Sequence, residues 1–402
     1  MDLSLSQSGD KTIENVNQNL TEFEGRILAC AKKACQEVRK KNPKLPDING
    51  QESTSFAMVA GGWVRDKIIN KPSKDIDIIV AQGCISDFLQ AFRKEMEALK
   101  VDLAKAGFSI TTKEQKTPLQ AGHCKGSFVF QFDILVENIE TNSVEEHIDL
   151  DFRELDYGIN ALVEDLKTRD FTVNGLYYDL VQEMTIDKCG GIHDIRMKEI
   201  RCINSFEITF ADVSRFMRGI RFCITKGFKL EPQLEEYFVK RAGPALHSIG
   251  KDVWNVTKEL DKMIKEREKL PEVVVRLARL GMFIGQPPQS EEDLEFCRIV
   301  VQKYVNSLPK TPASSPITNM MFIPNGRYTE GQVRNLVIGF CLVRQAEAEG
   351  NLFKQGKPIS SAGSWKIGLQ TILKILVIDI SFRKRTKIAS WMTKHILTIT
   401  PN

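Results

Sequence analysis

The stretch that decides the fold is AGGWVRDKIINKPSKDIDIIV, residues 60–80. The apolar run Phe56–Ala60 leads into it and predicts a short strand, which the Gly61–Gly62 pair ends. Helical spacing follows over Val64–Ile69, and a second strand is predicted over Ile76–Val80. This order of strand, helix and strand predicts an α/β domain in the front half of the chain.

Two carboxylates in this stretch indicate a metal and nucleotide site. Asp75 and Asp77 stand two apart on a predicted strand, so both project from one face, and oxygen ligands on a rigid strand suit Mg²⁺. The Gly61–Gly62 turn before a helix lets backbone N–H groups approach a phosphate, and Arg65 is placed to clamp a triphosphate. A D-x-D pair alone is common on solvated strand ends, but its position after this turn favours the site.

Outside this stretch, periodicity predicts further elements on both sides. Helices are predicted over Leu20–Lys41 and Ile85–Ala106, and alternation over Phe128–Val136 predicts a strand with one buried face. From Ala211 onward the spacing is mainly helical, and Ser307–Asn325 is predicted as a surface loop. We therefore divide the chain into an N-terminal extension and helix (1–48), an α/β head (49–180), a neck (181–265) and a helical body with a tail (266–402).

Composition is that of a globular protein with an uneven distribution of charge. The chain has 402 residues, 42% hydrophobic and 27% charged, which excludes a disordered or fibrous protein. Residues 1–185 hold 22 Lys and Arg against 30 Asp and Glu, a net of −8, and residues 186–402 hold 34 against 22, a net of +12. The basic half favours a phosphate-rich partner and the acidic half a divalent metal, with solvated surface charge as the alternative.

Several features bear on the compartment. The nine cysteines include no C-x-x-C pair and are interpreted as reduced thiols of an intracellular protein. The first twenty residues lack the pattern of a secretory or mitochondrial signal, and no apolar run approaches the length of a membrane span. We expect a cytoplasmic protein, with an additional nuclear location left open, no membrane contact and no obligate protein partner.

The motif G-G-x-V-R-D followed by D-x-D resembles the nucleotidyltransferases of the DNA polymerase beta superfamily. The resemblance is specifically to the CCA-adding tRNA nucleotidyltransferases of the bacterial and eukaryotic type and their poly(A) polymerase relatives, and the spacing is closer to the eukaryotic pattern. Segment 164–180, EDLKTRDFTVNGLYYDL, is similar to the family's R-R-D-x-T-x-N-A-L, and segments 190–203 and 211–228 are similar to the next two family motifs. Segment 248–264 resembles the fifth motif weakly.

The resemblance implies a polymerase beta-like α/β head followed by an all-α neck, body and tail. It also implies that Arg169, Asp170 and Asn174 contact the nucleotide, together with Gly61, Gly62 and Arg65. The chain departs from the family pattern at Thr168, where an Arg is usual, and at Gly175, where an Ala is usual.

A later predicted helix carries charged residues at every third position: Asp212, Arg215, Arg218 and Arg221. They are expected along one side of the helix and, by the resemblance, to bind the nucleotide, with a ladder of surface salt bridges as the alternative. A carboxylate beside a guanidinium complements the donor–acceptor edges of adenine and cytosine and mismatches guanine and uracil. The family's Glu before Asp212 is Ala211 here, and Asn255 replaces an expected Arg.

The implied function is template-independent addition of CCA to the 3′ end of tRNA from CTP and ATP. Asp75 and Asp77 would hold two Mg²⁺ ions, and Asp133, on a strand expected beside them, is the candidate third carboxylate, with a surface role as the alternative. The basic helical body would grip the tRNA acceptor arm. The segment Thr111–Gly126, polar and without periodicity, corresponds to a flexible family loop that favours full CCA addition.

Two kinds of alternative function stay open. An enzyme of the same family could add only CC, only A, or a short poly(A) tail. A non-catalytic RNA-binding paralogue is the other, and the departures at Thr168, Ala211 and Asn255 suggest it. The basic cluster Arg383–Lys387 fits a nuclear localisation signal, a tRNA contact or a solvated helix end.

Overall fold

The computed structural model describes residues 16–43, 56–115, 129–155, 161–247, 253–264, 269–280, 353–354 and 357–358. Contacts divide the chain into two units, Met1–Ser205 and Phe206–Asn402. The predicted loop Ser307–Asn325 and the basic cluster Arg383–Lys387 lie outside the described residues.

The first unit is an α/β domain, as its sequence predicts. Its elements in chain order are α1 (Glu22–Lys41), β1 (Ala57–Ala60), α2 (Gly62–Ile68), β2 (Asp75–Ala81), α3 (Ile85–Lys105), β3 (Phe108–Gln115), β4 (Val129–Asn138), β5 (Val144–Leu155), α4 (Ala161–Thr168), β6 (Leu176–Asp179), β7 (Met184–Asp187), α5 (Gly191–Met197) and β8 (Glu199–Ile200). A 3₁₀ turn at Thr172–Asn174 precedes β6. The strands and helices predicted from Leu20 to Val136 are all present within a few residues of their expected bounds.

Seven strands form one mixed sheet in the order β3-β4-β5-β2-β1-β6-β7. Strands β2 and β5 run parallel, and the other neighbouring pairs are antiparallel. One face of the sheet is apolar and is covered by α3: the Phe92 ring lies 5.3 Å from the Phe152 ring and 5.9 Å from the Phe132 ring. Because side chains alternate along a strand, the residues between these aromatic positions project from the opposite face.

One predicted irregular segment is partly a strand. Thr111–Gln115 belong to β3, which pairs antiparallel with β4 at the edge of the sheet. The expectation of an aperiodic loop there is wrong for these five residues, because an edge strand tolerates polar side chains on both faces. The rest of Thr111–Gly126 lies outside the described residues.

The described part of the second unit is mainly helical. Its elements are α6 (Phe206–Thr209), α7 (Ser214–Lys226), β9 (Lys229–Leu230), α8 (Pro232–His247), α9 (Val253–Ile264), α10 (Leu270–Arg279), β10 (Phe353–Lys354) and β11 (Lys357–Pro358). Its core is aromatic: the Phe216 ring lies 4.2 Å from Phe210 and 5.0 Å from Phe238. The strands β7, β8, β9, β10 and β11 are exceptions to the all-α region expected after residue 180, and β7 belongs to the sheet of the head. In the residues that can be described, no helix is long and apolar enough to cross a membrane.

Candidate active site

Two rows of carboxylates cross the open face of the sheet. Asp75 on β2 lies directly opposite Asp149 on β5, and Asp77 lies directly opposite Asp151. Asp75 and Asp77 are exposed and their partners on β5 are half-buried, so solvent reaches both rows. The predicted pair Asp75 and Asp77 therefore shares one face, and the parallel neighbour doubles the number of carboxylates on it.

The expected place of Asp133 needs correction. Asp133 lies on β4, which pairs with β5 and not with β2, so β5 separates Asp133 from Asp75 and Asp77. The expectation was wrong because strand order in a mixed sheet does not follow chain order. The carboxylates beside β2 are Asp149 and Asp151, a second D-x-D that alternates with buried residues on β5. That alternation was the signal that sequence reasoning missed.

The protein environment disfavours the ionised form of the central carboxylate. Desolvation raises the pKa of the Asp77 carboxyl to about 6, and the neighbouring Asp151 adds to the rise, whereas Arg169 and Arg153 oppose it. Burial also raises the pKa of Asp151, against a hydrogen bond of 3.0 Å from the Gln131 amide. Asp77 is surrounded by protein atoms yet keeps an exposed surface, so a cation can reach it. An all-carboxylate donor set of this kind fits Mg²⁺.

The turn after β1 needs glycine at its first position. Gly61 has φ 79° and ψ −128°, and its N–H donates to the Leu176 carbonyl at 2.8 Å. A Cβ on Gly61 would lie 2.7 Å from Nη1 of Arg169. The glycine therefore lets the Arg169 guanidinium lie directly against the turn. A Cβ on Gly62 would make only ordinary contact, 3.5 Å from Arg65.

Arg169 is held in place by a buried acid that the sequence analysis did not single out. Asp165, which is 3% exposed, accepts hydrogen bonds from Arg169 at 2.8 Å, from Arg153 at 2.6 Å and from the Tyr177 hydroxyl at 2.7 Å. Arg169 also donates to the Asn174 carbonyl at 3.0 Å and lies over the Tyr177 ring. Burial alone would raise the pKa of Asp165, but the two guanidinium groups outweigh it and lower the pKa to about 2.

The other predicted nucleotide ligands of the head form a second buried network. Asp170 Oδ1 accepts hydrogen bonds from the Asn174 amide at 2.8 Å and from the Phe171 N–H at 2.7 Å. The Asn174 side-chain oxygen accepts from Arg65, whose Nε donates to Asp66 at 2.8 Å. These contacts tie α2 to the turn before β6. The structure thus brings Arg65, Asp170 and Asn174 together, and their contact with a nucleotide stays a prediction.

Two departures from the family pattern, at Gly175 and Thr168, lie close to Arg169, and the structure explains the first of them. A Cβ on Gly175 would lie 2.6 Å from the Cys189 sulfur and 2.7 Å from a Leu166 methyl, so an alanine there would require both side chains to shift. Thr168 is exposed, and its hydroxyl donates to the Asp165 carbonyl at 2.7 Å. Neither residue disturbs the contacts of Arg169.

In the second unit, Asp212 and Arg215 lie together at the start of α7. Asp212 accepts hydrogen bonds from the Ser214 N–H at 3.0 Å and from the Ser214 hydroxyl at 2.6 Å. Nε of Arg215 is 3.8 Å from the other Asp212 oxygen, and the guanidinium donates to the Thr209 carbonyl at 3.3 Å. Ser214 and the Thr209 carbonyl therefore fix this pair without an acidic residue at Ala211.

Arg218 and Arg221 share one acidic partner. Both donate to Glu259 on α9, at 3.1 Å and 2.6 Å, and Glu259 is 4% exposed. The two guanidinium groups outweigh burial and lower the pKa of Glu259. The expected common side with Asp212 and Arg215, and the contact of these residues with a nucleotide, stay predictions.

Part of the chain is similar to known proteins. Residues 57–201 match the poly A polymerase head domain. The chain is 30% identical over 239 residues to the CCA-adding enzyme of Leuconostoc citreum (strain KM20), covering 58% of this chain and 50% of the relative. It is 28% identical over 271 residues to tRNA nucleotidyltransferase cca1 of Schizosaccharomyces pombe (strain 972 / ATCC 24843), covering 64% and 48%. The chain spans about half the length of these curated relatives.

Solved structures give the same fold. A CCA-adding enzyme in its apo form I superposes with a TM-score of 0.53 at 15% identity, covering 95% of this chain and 84% of the other. The complex of a CCA-adding enzyme with ATP superposes with a TM-score of 0.53 at 16% identity, covering 95% and 85%. At this identity the likeness establishes the fold.

Proposed function

Because residues 57–201 match the poly A polymerase head domain, we propose that this chain is a nucleotidyltransferase that adds CCA to the 3′ end of tRNA from CTP and ATP. The observation that carries the proposal is the pair of carboxylate rows, Asp75–Asp149 and Asp77–Asp151, on the open face of the family's head domain. The names of the relatives, CCA-adding enzyme and tRNA nucleotidyltransferase, support the choice of substrate.

Asp75 and Asp77 would hold two Mg²⁺ ions, with Asp151 as a further ligand in place of Asp133. When bound, the ions supply activation of the attacking 3′ hydroxyl and neutralisation of the triphosphate. The donor set supports this choice, because it consists of carboxylates on adjacent strands and is open to solvent. The reaction is attack of the tRNA 3′ hydroxyl on the α-phosphate with release of pyrophosphate.

The residues of this chain contribute positioning and charge. Arg169, fixed by Asp165 against the Gly61 turn, would bind triphosphate oxygens without having to reorganise. Asp170 and Asn174, which hydrogen-bond each other, would accept from and donate to the ribose. The burial of this network supports a rigid site whose hydrogen-bond directions are set before the nucleotide arrives.

Base choice would rest on Asp212 and Arg215. A carboxylate that accepts from the amino group of adenine or cytosine and a guanidinium that donates to the adjacent ring nitrogen satisfy both bases. Guanine and uracil present the reverse order, and each mismatched group in a closed pocket costs about 1–3 kcal/mol. The contacts of Ser214 and the Thr209 carbonyl support this role, because they fix the direction of both side chains.

The nucleic-acid partner would be recognised by charge and shape. Residues 186–402 carry a net charge of +12, which suits the phosphates of a tRNA acceptor arm. Binding of this kind weakens as the salt concentration rises. We also propose a cytoplasmic or nuclear location on the sequence features given above, which imaging of the tagged chain in cells would test.

The test is incorporation of one labelled nucleotide at a time into tRNA transcripts that lack CCA, CC or only A, with Mg²⁺ present. We expect C to be added to the acceptors that lack C, and A to be added to the acceptor that lacks only the final A. No acceptor should receive G or U. The double variant Asp75→Ala, Asp77→Ala should abolish incorporation and keep tRNA binding. Asp102→Asn, an exposed acid on α3, is the matched control and should stay active.

The remaining outcomes separate the alternatives. Incorporation of C without A would mean a CC-adding enzyme, and A without C would mean an A-adding enzyme or a poly(A) polymerase, which repeated addition of A identifies. No incorporation into any acceptor, with tRNA still bound, would leave a non-catalytic RNA-binding protein. Full activity of the Asp75→Ala, Asp77→Ala variant would refute the metal assignment.

A further inference from the structure

A histidine and two carboxylates converge beside the proposed Mg²⁺ ligands. Asp133 on β4 and His147 and Asp149 on β5 place one ligand atom each within 4.8 Å of one another. Nε2 of His147 lies 2.6 Å from Oδ1 of Asp133 and 3.2 Å from Oδ1 of Asp149. The proposed catalytic reaction uses neither His147 nor this arrangement, so the cluster needs an explanation of its own.

A hydrogen bond satisfies the cluster only in part. One ring nitrogen carries at most one hydrogen, so it can direct one good hydrogen bond toward one carboxylate. Here two carboxylates from different strands direct an oxygen at the same nitrogen. A cation lying among the three atoms would interact favourably with all of them.

Lys74 forms an ion pair with the Asp149 oxygen that does not face His147. Its ammonium nitrogen lies 3.1 Å from Oδ2 of Asp149, which leaves Oδ1 directed toward His147. Such a contact to the non-ligating side of a carboxylate is the usual support of a metal ligand. With a neutral imidazole, the two carboxylates and Lys74 leave one negative charge, so a divalent cation has a favourable charge balance.

The donor set selects the type of metal. Mg²⁺ prefers oxygen ligands alone, whereas one imidazole with two carboxylates suits a divalent first-row transition metal. Ligands at the bond lengths of Zn²⁺ lie roughly 3.3 Å apart in a tetrahedron, so the contact of 3.2 Å fits and the contact of 2.6 Å must widen. Both side chains of that shorter contact are about 40% exposed and are free to adjust.

We propose that Asp133, His147 and Asp149 form a binding site for a divalent transition-metal ion, which shares Asp149 with the carboxylate rows but includes neither of the Mg²⁺ ligands Asp75 and Asp77. Three protein ligands leave a fourth position open to water or to another oxygen ligand. Asp149 lies opposite Asp75, so the ion would border the carboxylate rows and reduce their negative charge. This site does not depend on the proposed function, because it concerns binding of the metal alone.

The experiment is titration of the full chain with Zn²⁺, measured by calorimetry and by competition with a chromophoric chelator. Millimolar Mg²⁺ is present throughout to saturate the proposed site at Asp75 and Asp77. We expect His147→Ala and Asp133→Asn each to weaken one equivalent of Zn²⁺ about tenfold or more. The matched control is His193→Ala, because His193 is exposed on α5 and lies outside the cluster. Circular dichroism checks that each variant is folded. We expect each variant to fold, because the substituted side chains are partly exposed.

Equal Zn²⁺ binding by His147→Ala and the wild type would overturn the proposal, because any remaining ions would then occupy other ligands such as cysteines. Loss of the same equivalent in Asp75→Ala, Asp77→Ala but not in His147→Ala would also overturn it. A Co²⁺ titration gives a further check: substitution of His147 should remove weak visible bands of nitrogen and oxygen ligation. Strong near-ultraviolet bands from thiolate at that same equivalent would contradict the site.

Discussion

Substitution of Asp165 by Asn tests whether a buried acid holds the Arg169 guanidinium. Asp165 is 3% exposed and accepts hydrogen bonds from Arg169, Arg153 and Tyr177. The amide keeps the shape of the side chain and removes its charge, so two guanidinium groups lose their shared counter-charge. We expect a lower free energy of unfolding and, because Arg169 is released, a lower rate of nucleotide incorporation.

The size of the effect follows from the pKa. Asp165 has a pKa of about 2 in the folded chain against an ordinary 3.8, and just under two units corresponds to roughly 2.5 kcal/mol. A depressed pKa stabilises the fold above the unfolded-state value, and this stabilisation is lost as the pH falls toward about 2. About half of it should remain at pH 3. Since the two arginine side chains, which are only 15% and 23% exposed, would lose their counter-charge, the full cost at pH 7 should be about 2–4 kcal/mol.

The assay is urea unfolding of the wild type, Asp165→Asn and Glu164→Gln at pH 7, 5 and 3. Glu164 is the matched control, because it neighbours Asp165 on α4 but is exposed, and its pair with Lys167 should contribute less than about 1 kcal/mol. The deficit of Asp165→Asn should be largest at pH 7 and should narrow between pH 5 and pH 3. A deficit no larger than that of Glu164→Gln, or one that is unchanged at pH 3, would refute the argument.

Three further predictions concern activity. Asp151→Asn should lower kcat/KM for incorporation on the order of 100-fold, because a bound metal contributes several kcal/mol, and tRNA binding measured by filter retention should not change. Gly61→Ala should lose activity and should lose more stability than Gly83→Ala. Both glycines have positive φ, but only a Cβ at position 61 would meet the Arg169 guanidinium; equal losses in unfolding and turnover assays would contradict this. Ser214→Ala should reduce the preference for CTP over UTP about fivefold, because Asp212 loses a hydrogen bond worth about 1 kcal/mol, and unchanged kcat/KM ratios would rule out that positioning role.

Local patterns predicted the elements of the head because each element satisfies its own physical requirement. The alternation of Asp75 and Asp77 with buried isoleucines indicates a strand with one polar face, and it forms one. The Gly61 turn was predicted from composition and is explained by its positive φ and by the approach of Arg169. These signals are short in sequence and therefore readable without knowledge of the fold.

What could not be predicted depends on contacts between distant segments. Because β5 lies between β4 and β2, the carboxylates beside Asp75 and Asp77 are Asp149 and Asp151 and not the expected Asp133. The pairing of Arg218 and Arg221 with Glu259 joins residues about forty positions apart. No local periodicity encodes which strand lies beside which or which acid meets an arginine, so these parts of the candidate site needed the structure.

The alternation of apolar and acidic residues along two strands of the sheet links the stability of the fold to the proposed activity. On β2 and β5, every second residue supports the apolar core under α3, and the residues between them form the carboxylate rows. The raised pKa of Asp77, about 6, means that its ionised form destabilises the fold: stability is fully present below the unfolded pKa and falls as the pH rises through the folded pKa. The aromatic packing of Phe92, Phe132 and Phe152 on the opposite face offsets this cost. Bound cations would neutralise these carboxylates and remove the cost of their burial. A site that costs stability when empty is therefore consistent with the proposed metal binding.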